Sequence, residues 1–261
     1  MKAMIIGGLP LLLNSLIWTL VQSVDKFVII GFLGTEALGV YSVPLMGFTT
    51  MVLIPQTISQ VFYIKISHLY GANHDEYQLI DKAKSFTSIT AAISGGACVA
   101  VFYIMPIFVD IFMPNYKDGT LATQILIIGV AIYSTTMIFG NIFSVLKLNT
   151  SLIINSVALC IFNAVFSSAL VLFVEKSINM VAIGTGLSYA CYSLLLLIKL
   201  SMKFKYSFAK LLISSWLPLL LIVIPGVALY LLLENIYLAA GLSLVVMAFV
   251  YGAILLMRRK M

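Results

Sequence analysis

Asp25 and Lys26 stand side by side in a stretch that is otherwise without charge. Twenty-two uncharged residues separate Lys2 from Asp25, and Phe27-Val28-Ile29-Ile30 follows Lys26. An ionisable side chain at membrane depth is costly and by default marks an ion or substrate path. The ammonium could meet an anionic group such as a phosphate as a point charge. The carboxylate could exchange a proton or a sodium ion. Six further residues of helix put Asp25 about 9 Å from the helix end, so the bland alternative is an interfacial pair with Lys26 snorkelling. On a helical wheel Asn14, Trp18, Gln22 and Asp25 fall within about 80° of one another, with Lys26 about 40° beyond. Leu13, Ile17, Leu20, Val24, Phe27 and Val28 take the opposite face. Such a polar face should line protein or water rather than lipid. Neighbouring side chains point about 100° apart, so Asp25 and Lys26 do not pair and each needs its own partner.

The next helix repeats the theme. Ser42, Thr49, Gln56, Gln60 and Tyr63 share one face, and Pro44 and Pro55 should bend it. A fifth helix carries Asn149, Ser156, Cys160, Asn163 and Ser167 on one stripe. That stripe reads as ordinary small and amide glue between membrane helices. Pro10, Pro106, Pro218 and Pro225 are further expected kinks. Other chemistry is scarce. Cys98, Cys160 and Cys191 fall in three separate apolar runs and read as packing residues. His68 and His74 read as solvated loop residues. The sequence holds no HExxH, GxSxG, Walker-type or Gly-x-Gly-x-x-Gly pattern. Neither catalysis nor a cofactor nor a bound metal is expected, and the polar faces point instead to a solute pathway.

The elements that would position these residues follow from composition. The chain has 261 residues, 62% hydrophobic and 9% charged, with a mean hydropathy of +1.13. Soluble domains run near 45–50% apolar and about 25% charged. A soluble enzyme, a nucleic-acid module and a disordered chain are excluded, and nucleic acid is not an expected partner. Charges divide the sequence into runs that each fit one span of about 20 residues. The expected fold is all-α, a polytopic bundle of about eight spans near 4–31, 37–66, 76–112, 119–146, 150–174, 179–200, 208–233 and 236–257. A barrel would alternate over segments of about ten residues, and these runs do not. The first segment is too long for a cleaved signal peptide and lacks a small-x-small site. Asn73 and Glu76 have capping-box spacing, so the third helix should start there. The natural division is a single transmembrane domain over 1–261, with a six-helix lobe at 1–200 and two additional spans at 201–261. Alternate connections hold 12 basic residues on one side and two, Lys117 and Lys176, on the other. The positive-inside rule then puts both termini in the cytoplasm.

The first two helices carry a recognisable pattern. Gly8-Leu9-Pro10-Leu11-Leu12-Leu13 is followed by Ser23-Val24-Asp25-Lys26-Phe27-Val28-Ile29-Ile30-Gly31-Phe32-Leu33-Gly34 and then by Thr35-Glu36-Ala37-Leu38-Gly39-Val40-Tyr41-Ser42. A Pro-bearing helix, an Asp-Lys or Asp-Arg pair, an apolar run, Leu-Gly and Gly-x-Tyr resemble the middle of Wzx-type polysaccharide flippases, of the multidrug/oligosaccharidyl-lipid/polysaccharide exporter superfamily. The loop Tyr70-Gly71-Ala72-Asn73-His74-Asp75-Glu76 is also similar to that family's. The resemblance is specific over 8–42 and compositional beyond about residue 90. It implies transport of undecaprenyl-pyrophosphate-linked oligosaccharide across the bacterial inner (cytoplasmic) membrane by alternating access, for surface polysaccharides such as O-antigen. Because the motif opens the second half of such proteins, the chain is expected to correspond to the C-terminal eight spans, as a fragment or half of a full flippase. Implied partners are the lipid-linked oligosaccharide, membrane lipids, an N-terminal lobe or second copy, and polysaccharide polymerase machinery. Lys26 would favour the anionic part, and Asn14, Gln22, Gln56 and Gln60 the sugar hydroxyls. Two other readings stay open: a cation-coupled multidrug exporter, for which Asp25 is the one acidic candidate and a poor one because of its neighbouring cation, and a non-transporting membrane subunit.

Overall fold

The computed structural model describes residues 2–73, 75–233 and 236–259, and within them all side chains except those of 2–11, 13–15, 73, 149, 236–237, 249–251 and 253–259. The chain is an all-helical bundle. Its helices are α1 (Lys2–Phe32), α2 (Thr35–Asn73), α3 (Glu76–Phe112), α4 (Gly119–Val145), α5 (Asn149–Phe173), α6 (Ile178–Phe204), α7 (Phe208–Leu232) and α8 (Ile236–Arg259), with a 3-10 turn at Pro114–Tyr116. Among the described residues six helices, α2 to α7, are long and apolar enough to cross a membrane. Helices suit lipid because every interior N–H and C=O is satisfied within its own segment.

Local chemistry sets the ends. The Leu-Gly of the opening motif terminates α1: Gly34 adopts φ +92°, and the N–H groups of Leu33 and Gly34 both donate to Ile29 O, at 2.8 and 3.0 Å. Glycine takes that left-handed conformation without a Cβ penalty. The capping residue of α3 differs from expectation. Asp75, not Asn73, accepts from the N–H groups of Tyr77 and Gln78, while α2 continues through Asn73. A carboxylate directly before the first turn meets two orphan donors and the positive helix end. Helices α2 and α6 extend seven and four residues further than the apolar runs, because a helix does not stop where lipid does. Beyond the end of α6, Tyr206 closes the connection to α7 onto α3: its hydroxyl accepts from Lys84 Nζ at 2.6 Å and donates to Asp81 Oδ1 at 3.0 Å.

Packing centres on α4, which lies against α2, α3 and α6. Helix α1 packs chiefly along α5, α5 along α6, and α7 along α3, with α8 on α7. Close crossings use small residues, as membrane helices do. At the α5–α6 crossing a Cβ on Gly184 would stand 2.6 Å from both Cα and N of Ser167. Two residues on, a Cβ on Gly186 would have only one neighbour, Gly129 Cα at 3.8 Å. Gly184→Ala is therefore expected to lower the melting temperature in detergent sharply, by at least the ~1–3 kcal/mol of ordinary overpacking. Gly186→Ala should leave it unchanged or raise it slightly, since a helical glycine is replaced without a clash. Equal melting curves for the two variants would refute the crossing.

Candidate functional site

Helix α1 divides between buried and exposed faces. Val21, Val24, Asp25, Val28 and Ile29 are buried, at the three- and four-residue spacing of one helix face, while Leu12, Leu16, Leu20, Phe27 and Ile30 are exposed. Asp25 therefore points into the bundle and is 6% exposed. Three donors surround it. Asn163 Nδ2 and Thr185 Oγ1 donate to Oδ1 at 2.8 and 2.9 Å, and Tyr41 OH donates to Oδ2 at 2.9 Å. Ser167 Oγ donates to Asn163 Oδ1 at 2.9 Å, which fixes the orientation of that amide. The Asp-Lys pair and the Gly-x-Tyr motif thus meet: Tyr41 is the tyrosine of the motif, and its hydroxyl holds the aspartate. Asn163 and Thr185 add α5 and α6, so one carboxylate ties four helices together. Lys26 is exposed and forms no ion pair with it. Among the described residues the ion pairs are Asp81–Lys84 and Asp110–Lys117, so no cation neutralises Asp25 there.

The second polar feature is a cavity of about 700 Å³, within the range of small-ligand sites. Helix α2 contributes Gln56, Ser59, Gln60 and Tyr63. Helix α4 contributes Tyr133, Thr136, Gly140, Asn141 and Ser144, and α5 and α6 contribute Ser156 and Tyr192. Trp18 of α1 stacks on Tyr133, ring centroids 5.0 Å apart and planes 17° apart. Asn141 Nδ2 donates to Ser59 O and Oγ, both at 2.8 Å, and so locks α2 to α4 beside the cavity. Among the described residues no Asp, Glu, Lys or Arg lines it. The lining joins flat aromatic faces to amides and hydroxyls, which can stack on and hydrogen-bond an uncharged polyhydroxyl ring.

The two features lie at different heights. Trp18 and Asp25, Ser156 and Asn163, and Thr185 and Tyr192 are each seven residues apart, or about 10 Å along their helices. The cavity occupies the part of the bundle nearer Lys65, Lys147 and Lys199, and the Asp25 node the part nearer the α1–α2 turn. Tyr189, one turn from Thr185, joins them: its ring is 5.0 Å from that of Tyr133.

Of the seven residues singled out in the sequence, Trp18, Gln56 and Gln60 come together at the cavity. Asp25 enters its own network. Gln22 and Lys26 are exposed, on the side of α1 bordering the buried face. Asn14 lies outside the residues whose side chains are described. Sequence reasoning missed Tyr41, Asn163 and Thr185 as partners of Asp25. Asn163 and Ser167 were visible as a stripe at four-residue spacing, and only the three-dimensional approach of α1 distinguishes that stripe from glue. The three cysteines are unpaired.

No curated protein and no solved structure matches the chain. Residues 1–116 of the 261 match a family model described as polysaccharide biosynthesis protein. That stretch holds Trp18, Asp25, Tyr41, Gln56 and Gln60, so the part of the chain that contributes to both polar features is similar to that family.

Proposed function

We propose that the chain is the substrate-bearing bundle of a flippase for lipid-linked oligosaccharide. It carries undecaprenyl-pyrophosphate repeat units across the bacterial cytoplasmic membrane by alternating access and performs no chemistry on them. The observation that carries this reading is the uncharged, amide- and aromatic-lined cavity of about 700 Å³. With the termini in the cytoplasm, the cavity belongs to the cytoplasmic half, where a repeat unit is loaded. Sugar would rest against Trp18 and Tyr133 within reach of Gln56, Gln60 and Asn141, while the lipid tail stays in the bilayer. Exposed Gln22 and Lys26 face the partner that completes the pathway, an N-terminal lobe or a second copy. Polymerase machinery would take the unit on the far side.

The Asp25 node favours cation coupling as part of this reading, and equally as part of a cation-coupled drug exporter. Asp25 Oδ1, Asn163 Oδ1 and Thr185 Oγ1 gather within one buried cluster, a set of oxygens suited to a hard monovalent cation or a proton. Transported solute separates the two readings. Replacing both Gln56 and Gln60 by leucine removes two amides, each worth ~0.5–1.5 kcal/mol in hydrogen bonding. Flipping of a fluorescent lipid-linked oligosaccharide into inside-out vesicles should fall about tenfold or more, with expression unchanged. A parental rate in that variant, or efflux of cationic dyes by a chain that flips no glycolipid, would refute the flippase reading.

A further inference from the structure

A third polar cluster lies at the same end of the bundle as the cavity. Asn155 is six residues into α5, and Lys199 is five residues before the end of α6. Lys199 Nζ donates to Asn155 Oδ1 at 2.5 Å. That bond sets the amide with its oxygen toward the ammonium, so Nδ2 occupies the other branch. Asn155 is 0% exposed, and Nδ2 has no hydrogen-bond partner among the described residues. An orphaned buried amide N–H group is uncommon in a folded protein and demands a reason. Lys199 is half-buried and pairs with no carboxylate among the described residues. The cluster thus holds an ammonium and a spare amide NH2 against a single neutral acceptor. Excess donors around a full positive charge suit an oxyanion.

Its position relates it to the cavity. Leu152 and Ser156, which line the cavity, flank Asn155 on α5, and Tyr192, also in the lining, lies two turns from Lys199 on the same face of α6. We propose that Lys199 and Asn155 form a receptor at the rim of the cavity for the phosphate oxyanion of a lipid-borne headgroup. An arriving phosphate oxygen replaces Asn155 Oδ1 on the ammonium, and rotation of the carboxamide turns Nδ2 toward the same anion. Among the described residues the cavity lining offers no charge, so the anionic and sugar portions of one ligand occupy separate places. That the anion is the substrate's pyrophosphate rests on the flippase reading; the receptor itself does not.

The test is native mass spectrometry on the full chain in detergent, titrated separately with undecaprenyl pyrophosphate and with phosphatidylglycerol. Lys199→Gln should weaken binding about tenfold, Asn155→Leu should weaken it several-fold, and Lys199→Arg should retain it. Lys199 dependence with undecaprenyl pyrophosphate alone assigns the anion to the substrate; dependence with both assigns it to bilayer headgroups as well. Unchanged affinity of a folded Lys199→Gln chain for both lipids overturns the receptor. A measurement on the parent chain guards against a misfolded variant: inorganic pyrophosphate should slow acetylation of Lys199, and an unaltered rate overturns the proposal. Flipping that persists without Lys199 dependence would remove the substrate's pyrophosphate as the anion and leave the flippase reading intact. Lys199-dependent binding without flipping would do the reverse.

Discussion

Asp25→Asn is expected to give a chain that folds like the parent, no longer responds to a sodium or proton gradient, and flips its substrate about a hundredfold more slowly, equivalent to ~2.7 kcal/mol. Asparagine has the shape of aspartate. Its Oδ1 can still accept from Asn163 and Thr185, and its Nδ2 can donate to the Tyr41 oxygen, which reverses its role from donor to acceptor. The four-helix junction is therefore kept while the charge is lost. Asp25→Ala is the structural contrast. It strands the buried donors of Asn163 and Tyr41, each costing ~1–3 kcal/mol when unpaired, while Thr185 keeps Val181 O as an acceptor at 3.0 Å, and the melting temperature should fall well below that of Asp25→Asn. Gradient-dependent uptake into proteoliposomes, read beside detergent melting curves, separates the two effects. An Asp25→Asn chain that keeps parental coupling would show the carboxylate to be a brace alone.

The neighbour of Asp25 shows how a sequence can be read correctly in part. The helical wheel places Asn14, Trp18, Gln22, Asp25 and Lys26 on one broad polar arc. The bundle cuts through that arc, taking Trp18 and Asp25 inward and leaving Gln22 and Lys26 exposed. Periodicity reports which residues share a side of a helix; it does not report where along the arc the neighbouring helix touches. Val21, Val24, Val28 and Ile29 settle that, because their packing centres the contact on the Asp25 side of the arc. The eight helices were legible because apolar runs between charges have the length of a span. The partners of Asp25 were not, since Asn163 and Thr185 lie 138 and 160 residues away in sequence. Nothing short of the α1–α5 and α5–α6 contacts brings them together. Tyr41 is intermediate: the Gly-x-Tyr pattern was visible beside Asp-Lys, and the hydrogen bond between the two supplies a physical reason for their occurring together.

The same contacts make the carboxylate and the cavity one mechanical unit. Thr185, Tyr189 and Tyr192 run along one face of α6, the first bonded to Asp25, the second in ring contact with Tyr133, and the third in the cavity lining. Gly129 lets α4 and α6 approach closely beside them, since a Cβ there would stand 2.8 Å from Gly186 Cα. A shift of α6 that follows ion exchange at Asp25 must move Tyr189 and Tyr192 with it. Tight packing leaves little room for the helix to deform between the two sites, and on the proposed reading this would couple an ion at one height to a sugar about 10 Å away.

Filling the cavity without disturbing the fold tests this route most directly, and Gly140 permits it. Gly140 lines the cavity within α4, and a Cβ built there meets nothing within 4 Å. Glycine inside a helix costs ~0.5–1 kcal/mol relative to alanine. Gly140→Ala should therefore raise the melting temperature slightly and flip at the parental rate. Gly140→Phe keeps the backbone benefit in part, since phenylalanine is also a better helix former than glycine, and places a phenyl ring where sugar would stack. Its stability should equal or exceed that of the parent, while flipping falls at least about tenfold, or ~1.4 kcal/mol. Because the two substitutions share a site and differ only in the volume they occupy, a loss confined to phenylalanine identifies the cavity as the path. A stable Gly140→Phe chain that flips normally would place the path elsewhere, on the exposed face of α1 and α2 that carries Gln22 and Lys26.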